Sequence, residues 1–278
     1  MDPMKINKIR HAVRTNYGKV AQAGNSGCCP TSSCCSPRGA SSADAISVQL
    51  GYSNEDVSAV PEGANMGLGC GNPQAIASLK PGEIVLDLGS GGGFDCFLAA
   101  RAVGEKGKVI GVDMTPEMVS KARENAAKAG FKNVEFRLGE IEHLPVAENS
   151  VDVIISNCVI NLSPEKHKVF ADAFRVLKVG GRLAVSDVVA TAELPDEVKN
   201  DLALHAGCMA GASLIGEVEA MLRESGFRNI RIQPKDESRE FIRTWAPGRN
   251  VEDYVVSATI AAVKPGGCKK HKNRAPGS

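Results

Sequence analysis

Three cysteines sit far apart in this chain but in similar company. Cys70 lies in "MGLGCGNP", Cys158 in "SNCVINL" and Cys208 in "HAGCMAGA". Glycines on both sides of Cys70 predict an exposed, flexible backbone, and the small residues around Cys208 predict an uncovered sulfur. Cys158 follows an apolar run, Val151 to Ile155, and precedes a helix start at Ser163-Pro164. One such cysteine alone reads as a small core hydrophobe. Three of them, each in a Gly/Ala or Asn setting around one sheet edge, invite a three-thiolate site. Zinc prefers four ligands, usually from close Cys-x-x-Cys pairs, and those are absent here. Three soft sulfurs suit a thiophilic, three-coordinate centre that carries a lone pair.

A second set of residues points to a nucleoside-bearing ligand. "VLDLGSGGGFDC" places Asp87, Gly89, Ser90 and Gly91 between a strand and a helix. Gly89 and Gly91 permit torsions closed to other residues and let a ligand approach the main chain. Asp113 ends the next strand, with Met114 beside it, where a carboxylate can accept hydrogen bonds from two ribose hydroxyls. "LGEIEHLP" then offers Glu140 to an adenine amino group and Ile141 to the ring face. A nicotinamide fingerprint needs a third glycine at position 94, which is Phe94, and no Gly-Lys-Ser/Thr phosphate loop is present. Over about residues 73 to 190 the set resembles the class I S-adenosylmethionine-dependent methyltransferases. That resemblance implies S-adenosyl-L-methionine as cofactor, with Asp87 and the glycine loop along its methionine and sugar portion.

Trivalent arsenic fits the three-sulfur site. Its lone pair would attack the donor's sulfonium methyl, and no general base is needed because sulfur-bound arsenic(III) has no proton to lose. No convincing Ser-His-Asp or Cys-His arrangement is visible, and His143 and His205 read as surface or cap residues. "SNCVINLSPEK", "GCGNP", "LDLGSGGGFDCFLAA", "GVDMTPEM" and "GCMAGA" together resemble the arsenite methyltransferase family of archaea and bacteria, over most of residues 10 to 265. The resemblance implies that Cys70, Cys158 and Cys208 bind arsenite or methylarsenite, and that residues 190–264 form an arsenic-binding domain. It also implies a further N-terminal cysteine working with Cys70 or in a disulfide cycle, with thioredoxin or glutathione as reductant. Cys28, Cys29, Cys34 and Cys35 all stand for that part, either as a thiol arm or as an uninvolved metal-sticky segment. Asn157 is expected near the methyl donor, Cys96 in packing and Cys268 in no role.

The elements that must hold these groups follow from the apolar pattern. Strands are predicted at 83–89, 108–114, 134–139, 151–157 and 182–189, with helices at Phe94–Ala102, Thr115–Ala129 and Glu165–Leu177. Thr115 is the expected N-cap of the second helix, Pro116 its first turn and Gly130 its stop. Strands spaced by helices predict an α/β fold: a doubly wound, mostly parallel, Rossmann-like sheet. Residues 1–72 read as a leader, a basic helix at Ile6–Val20 and then a Gly/Ser/Pro-rich, cysteine-rich loop with little core. After Val189 two helical stretches, "PDEVKNDLALHAGCMAG" and "LIGEVEAMLRESGF", precede strands "NIRIQ" and "VVSATIAAVK". These either finish the same sheet or make a smaller C-terminal α+β substrate domain, and residues 265–278 read as a disordered tail.

Composition bounds the partners. Of 278 residues, 33 are Lys or Arg and 32 Asp or Glu, so the net charge of +1 gives no reason to expect nucleic acid or an anionic membrane. No apolar run is long enough to span a bilayer and no hydrophobic signal segment is seen, so a cytoplasmic setting is expected. There, nine cysteines read as thiols rather than structural disulfides. Two rival readings make distinct predictions. A class I methyltransferase of a small organic metabolite would keep its activity in Cys158→Ser. A thiol-based arsenic-binding protein would bind arsenite without turnover, although it would have no need of a cofactor site.

Overall fold

Five parallel strands carry the fold: β1 (Ile84–Leu88), β2 (Lys108–Asp113), β3 (Val134–Leu138), β4 (Val151–Asn157) and β5 (Leu177–Ala190). Two more, β6 (Arg228–Lys235) and β7 (Val255–Val263), complete one seven-stranded sheet in the order β3-β2-β1-β4-β5-β7-β6. β7 runs antiparallel to both β5 and β6. The C-terminal strands therefore finish the same sheet, and among the described residues the region after Val189 has no separate sheet. The computed structural model describes residues 2–23 and 42–266. Cys28, Cys29, Cys34, Cys35 and Cys268, and the tail expected to be disordered, lie outside the described residues apart from Pro265 and Gly266.

The helices are α1 (Pro3–Ala23), α2 (Ala43–Gln49), α3 (Asn54–Ser58), α4 (Gln74–Ala77), α5 (Phe94–Val103), α6 (Pro116–Ala129) and α7 (Lys166–Val176) in the first part of the chain. Then follow α8 (Asp196–Lys199), α9 (Leu202–Ala206), α10 (Ile215–Glu224) and α11 (Arg239–Ile242). Both sheet faces are covered, so β1 and β4 are buried along most of their length rather than on alternate residues. Leu86, Leu88 and Ile154 pack on one face with Phe170 and Phe227, while Val85, Val153 and Ile155 pack on the other with Phe97. Each such fully buried side chain contributes about 1.5–3 kcal/mol.

The stretch expected as one helix after Leu194 is broken in two. The Asp201 carboxylate accepts hydrogen bonds from the backbone N–H groups of Ala203 and Leu204, which starts α9 afresh. Helix α1 has more core than a leader would: Ile9 and Val13 are buried in the same apolar cluster as Cys70, Cys158 and Cys208. Among the described residues no helix is long and apolar enough to cross a membrane.

The chain leaves β1 outward to β2 and β3, then returns to place β4 on the other side of β1. At such a reversal the connections beyond the strand ends diverge and open a crevice. The glycine loop after β1 and the Asn157-Cys158 pair at the end of β4 both lie there.

Candidate functional site

The glycine loop is shaped by close approach. Gly89 has φ +69°, and a Cβ there would overlap the side chain of Val159, next to Cys158. The loop expected to hold the nucleoside thus abuts the turn that carries a thiol. Asp113 closes the loop: its carboxylate accepts from the Gly91 N–H at 2.9 Å and from the Thr115 N–H at 2.9 Å. Thr115 stands at the expected N-cap position but makes no side-chain cap, because its hydroxyl as well as its backbone N–H bonds to Asp113. Among the described residues the buried Ser90 hydroxyl has no hydrogen-bond partner, which suits a group aimed at a ligand.

Two buried carboxylates, Asp87 and Asp95, and the half-buried Asp113 line this side. Asp87 accepts a hydrogen bond from the Cys96 thiol at 3.2 Å, so Cys96 does more than pack. Asp95, in the first turn of α5, accepts from the Tyr52 hydroxyl at 2.8 Å, and Gln74 donates to its backbone carbonyl at 2.8 Å. Burial pushes the Asp95 carboxyl up to about 6, and it pushes Asp87 well above the usual carboxylate range, helped by the neighbouring Asp95. Asp113 is also raised by burial, against the pull of its backbone donors. A cationic ligand would relieve all three. Tyr52, Gln74 and Asp95 were not singled out by sequence. Asp95 alone left a trace, as an acidic residue opening a helix directly after the glycine loop.

Glu140 and Ile141 follow β3 as expected, but Glu140 has partners already. Arg14 of α1 lies 3.3 Å from its carboxylate and Arg10 lies 3.6 Å away. Arg10 also pairs with Glu142 and Glu165, each at 3.1 Å. Ile141 is buried, and Met114 packs against the cluster that contains the three cysteines.

Those cysteines converge. The Cys158 thiol is in hydrogen-bonding contact with those of both Cys70 and Cys208, and the Cys208 thiol donates to the Cys158 carbonyl at 2.6 Å. All three are buried, with Cys70 and Cys208 2% exposed and Cys158 8%. The exposed, flexible setting expected for Cys70 and the uncovered sulfur expected for Cys208 are therefore corrected. Gly69 and Gly71 serve close packing instead: a Cβ on Gly69 would meet the Asn157 amide at 2.8 Å, and one on Gly71 would meet the Ser186 hydroxyl at 2.8 Å. Hydrogen bonds from Cys208 and Cys70, with burial added, push the Cys158 thiol well up. For Cys208 the bond with Cys158 pulls down, but burial and the nearby Asp187 carry the net shift upward.

Asn157 organises the junction. Its side-chain oxygen accepts from the Cys70 N–H at 3.0 Å, and its amide nitrogen donates to the Gly71 carbonyl at 2.7 Å and the Tyr52 hydroxyl at 3.0 Å. Asp187, also missed by sequence, is buried beside the thiols: one ligand atom each from Cys70, Cys158 and Asp187 lie within 4.8 Å of one another. Tyr17 of α1 donates to the Ala206 carbonyl at 3.2 Å and bonds with the Cys208 thiol. His143 is exposed, as expected; His205 is buried instead, its Nε2 3.3 Å from the Leu162 carbonyl. Burial lowers the pKa of His205. The four N-terminal cysteines lie outside the described residues.

A sequence profile described as "Methyltransferase domain" matches residues 79–226. Arsenite methyltransferase from Halobacterium salinarum is 56% identical over 266 residues, covering 93% of this chain and 67% of its own length. Human arsenite methyltransferase is 43% identical over 152 residues, covering 51% of this chain and 40% of its own. The chain thus spans about two thirds of the first relative and less than half of the second. Among solved structures, an arsenic(III) S-adenosylmethionine methyltransferase from Chlamydomonas reinhardtii superposes with a TM-score of 0.62 at 35% identity, covering 80% of this chain and 74% of that one. With the profile matching more than half of the chain and the halobacterial relative aligned along nearly all of it, this chain belongs to the arsenite methyltransferase family.

Proposed function

We propose that the chain transfers methyl groups from S-adenosyl-L-methionine to trivalent arsenic, arsenite or methylarsenite, held by Cys70, Cys158 and Cys208. The observation that carries this reading is the contact of the Cys158 thiol with two others drawn from remote parts of the sequence, directly beside the glycine loop. Arsenite loads by exchange: each thiol proton leaves with an arsenic hydroxyl as water, and an As–S bond forms. Loading needs no free thiolate in advance, which suits thiols whose burial disfavours the charged form.

The donor's roles fall to Asp87, Ser90, Asp113 and Glu140. The unpartnered Ser90 hydroxyl and the buried carboxylates suit a ligand with hydrogen-bonding sugar atoms and a positive charge. When bound, S-adenosylmethionine supplies an electrophilic methyl on a sulfonium. This chain's part is alignment: Asn157 ties the Cys70 loop to the end of β4, and the missing side chain at Gly89 lets the donor loop reach Val159. Holding both reactants in line removes much of the entropic barrier to displacement.

In the transfer the arsenic lone pair forms the As–C bond while the methyl–sulfur pair stays on the departing thioether. The arsenic is thereby oxidised by two electrons, which two thiols return on forming a disulfide. Cys28, Cys29, Cys34 and Cys35 are the proposed source of a further thiol for that step. Thioredoxin or glutathione in a cytoplasmic setting would reopen the disulfide.

The deciding experiment supplies labelled S-adenosylmethionine and arsenite with excess thiol to the intact chain and to Cys158→Ser. Methylated arsenic from the intact chain alone is expected. Turnover by both would remove Cys158 from the reaction's centre, and none from a folded, donor-binding chain would favour a small organic substrate.

A further inference from the structure

The thiol cluster has a fourth member that a three-coordinate arsenic centre does not need. Asp187 is 2% exposed and faces Cys70 and Cys158, with ligand atoms of the three within 4.8 Å of one another. Its Oδ1 accepts from the Asn161 amide at 3.0 Å and the Val188 N–H at 2.7 Å, and its Oδ2 accepts from the Ile160 N–H at 2.9 Å. A carboxylate has about four lone-pair sites. With the Asn161 backbone N–H as a further donor, all are used among the described residues, so a cation would take the place of one of these donors. Cys208 adds a third sulfur through its contact with Cys158.

Three sulfurs and one carboxylate oxygen are a tetrahedral donor set. With metal–sulfur bonds of about 2.3 Å, the edges of such a tetrahedron are about 3.8 Å. The ligand atoms of Cys70, Cys158 and Asp187, within 4.8 Å of one another, need move little, whereas Cys208 lies outside that group and must turn inward. We propose that Cys70, Cys158, Cys208 and Asp187 form a binding site for a thiophilic divalent cation, zinc being the representative, whose occupancy excludes arsenic. Cys-x-x-Cys spacing is not required, because the fold assembles the four ligands from the loop before α4, the end of β4, strand β5 and the loop after α9. The two occupants differ in what they ask of Asp187. A divalent cation with no lone pair takes a fourth donor and gains from an anionic one, whereas arsenic(III) fills its fourth position with its lone pair. Asp187 therefore separates cation binding from arsenite binding. The inference needs only the thiol cluster and not methyl transfer.

The test titrates cobalt(II), as a spectroscopic stand-in for zinc, into the full chain with Cys28, Cys29, Cys34, Cys35 and Cys268 changed to serine, reduced and free of competing thiols. One cobalt per chain is expected, with sulfur-to-metal charge-transfer bands and the intense visible bands of a tetrahedral site, all discharged by one equivalent of arsenite. Cys158→Ser should abolish the spectrum. Asp187→Asn should weaken cobalt binding by about tenfold or more while arsenite affinity stays within about threefold. A pale octahedral spectrum, or binding present only when the N-terminal cysteines are intact, overturns the proposal. So does cobalt affinity unchanged in Asp187→Asn. Should that variant fail to fold, zinc X-ray absorption on the serine-substituted chain still decides. Three sulfurs at about 2.3 Å and one oxygen at about 2.0–2.2 Å support the site, and any other sulfur count refutes it. Arsenite binding without cobalt binding would sink this inference and leave the methyl-transfer reading standing.

Discussion

The side-chain oxygen of Asn157 accepts the backbone N–H of Cys70 at 3.0 Å, so the residue that ends β4 fixes the loop that precedes β1. Its amide nitrogen, shared between the Gly71 carbonyl and the Tyr52 hydroxyl, extends the tie to the carboxylate-lined side of the crevice. One side chain thus sets the distance between a thiol and the donor loop. Asn157→Ala removes these bonds and leaves the Cys70 N–H and Gly71 carbonyl without partners in a buried setting. A loss of about 2–3 kcal/mol in unfolding free energy is expected from urea titration. Asn157→Asp should be worse, because it sets a second carboxylate beside Asp95, whose Oδ2 lies 3.5 Å from the Asn157 amide.

Cys158 and Cys208 share an unusual backbone: φ is +58° at the first and +66° at the second. A non-glycine residue in this left-handed region carries about 1–2 kcal/mol of strain. Glycine should therefore be better tolerated than alanine at both positions. Cys158→Gly and Cys208→Gly are expected to exceed their alanine counterparts by about 1 kcal/mol in stability, with arsenite binding lost in all four. Equal stability within each pair, measured by thermal or urea unfolding, would show that the strain is absent.

What could be read from sequence was local. The Gly89 loop, Asp113 and the start of α6 each declare themselves within a few residues. The three cysteines stood out because small neighbours isolate them. Asn157's partners were out of reach because Gly71 and Tyr52 lie on remote segments. Asp95 and Asp187 reach the crevice only because the fold sets α5 against Tyr52 and β5 against the thiols, from remote parts of the chain. The setting of Cys70 was misread because flanking glycines signal either flexibility or close approach, and here Asn157 and Ser186 require the second. Helix α1 hid its importance behind its charges, although Ile9, Val13 and Val20 recur at helical spacing and are buried.

Burial raises the Asp95 carboxyl to about 6 in the folded chain, above its unfolded value of about 3.9. Between those values the native state binds more protons than the unfolded one, so stability falls as pH rises from about 4 to about 6. The contribution is on the order of 3 kcal/mol, fully present below the unfolded pKa and lost above the folded one. Asp187, also raised to about 6 by burial, acts in the same direction over the same window. Glu135, lowered to about 2 by Arg137 and Lys108, acts oppositely but only below about pH 4.5. Urea unfolding of the donor-free chain at a series of pH values should show the fall, and Asp95→Asn should make it shallower while leaving the share of Asp187. A variant curve parallel to the parent's would exclude Asp95 as its source.

Arg10 joins α1 to the rest of the crevice by pairing with Glu140, Glu142 and Glu165. The Glu142 side chain is only 5% exposed and also accepts the Ser163 hydroxyl at 2.6 Å, so without Arg10 it would be left buried and uncompensated. Arg10→Ala should cost about 1–3 kcal/mol, a fall of about 2–4 °C in melting temperature per kcal/mol. Arg14→Ala removes a pair whose arginine is 45% exposed, and it should stay within about 0.5 kcal/mol. The two variants also separate stability from donor access. Both loosen the hold on Glu140, so if that carboxylate must turn to meet the adenine, S-adenosylmethionine should bind each at least as tightly as the parent in calorimetry. Weaker binding by Arg14→Ala, with its stability unchanged, would instead make the arginine part of the donor site.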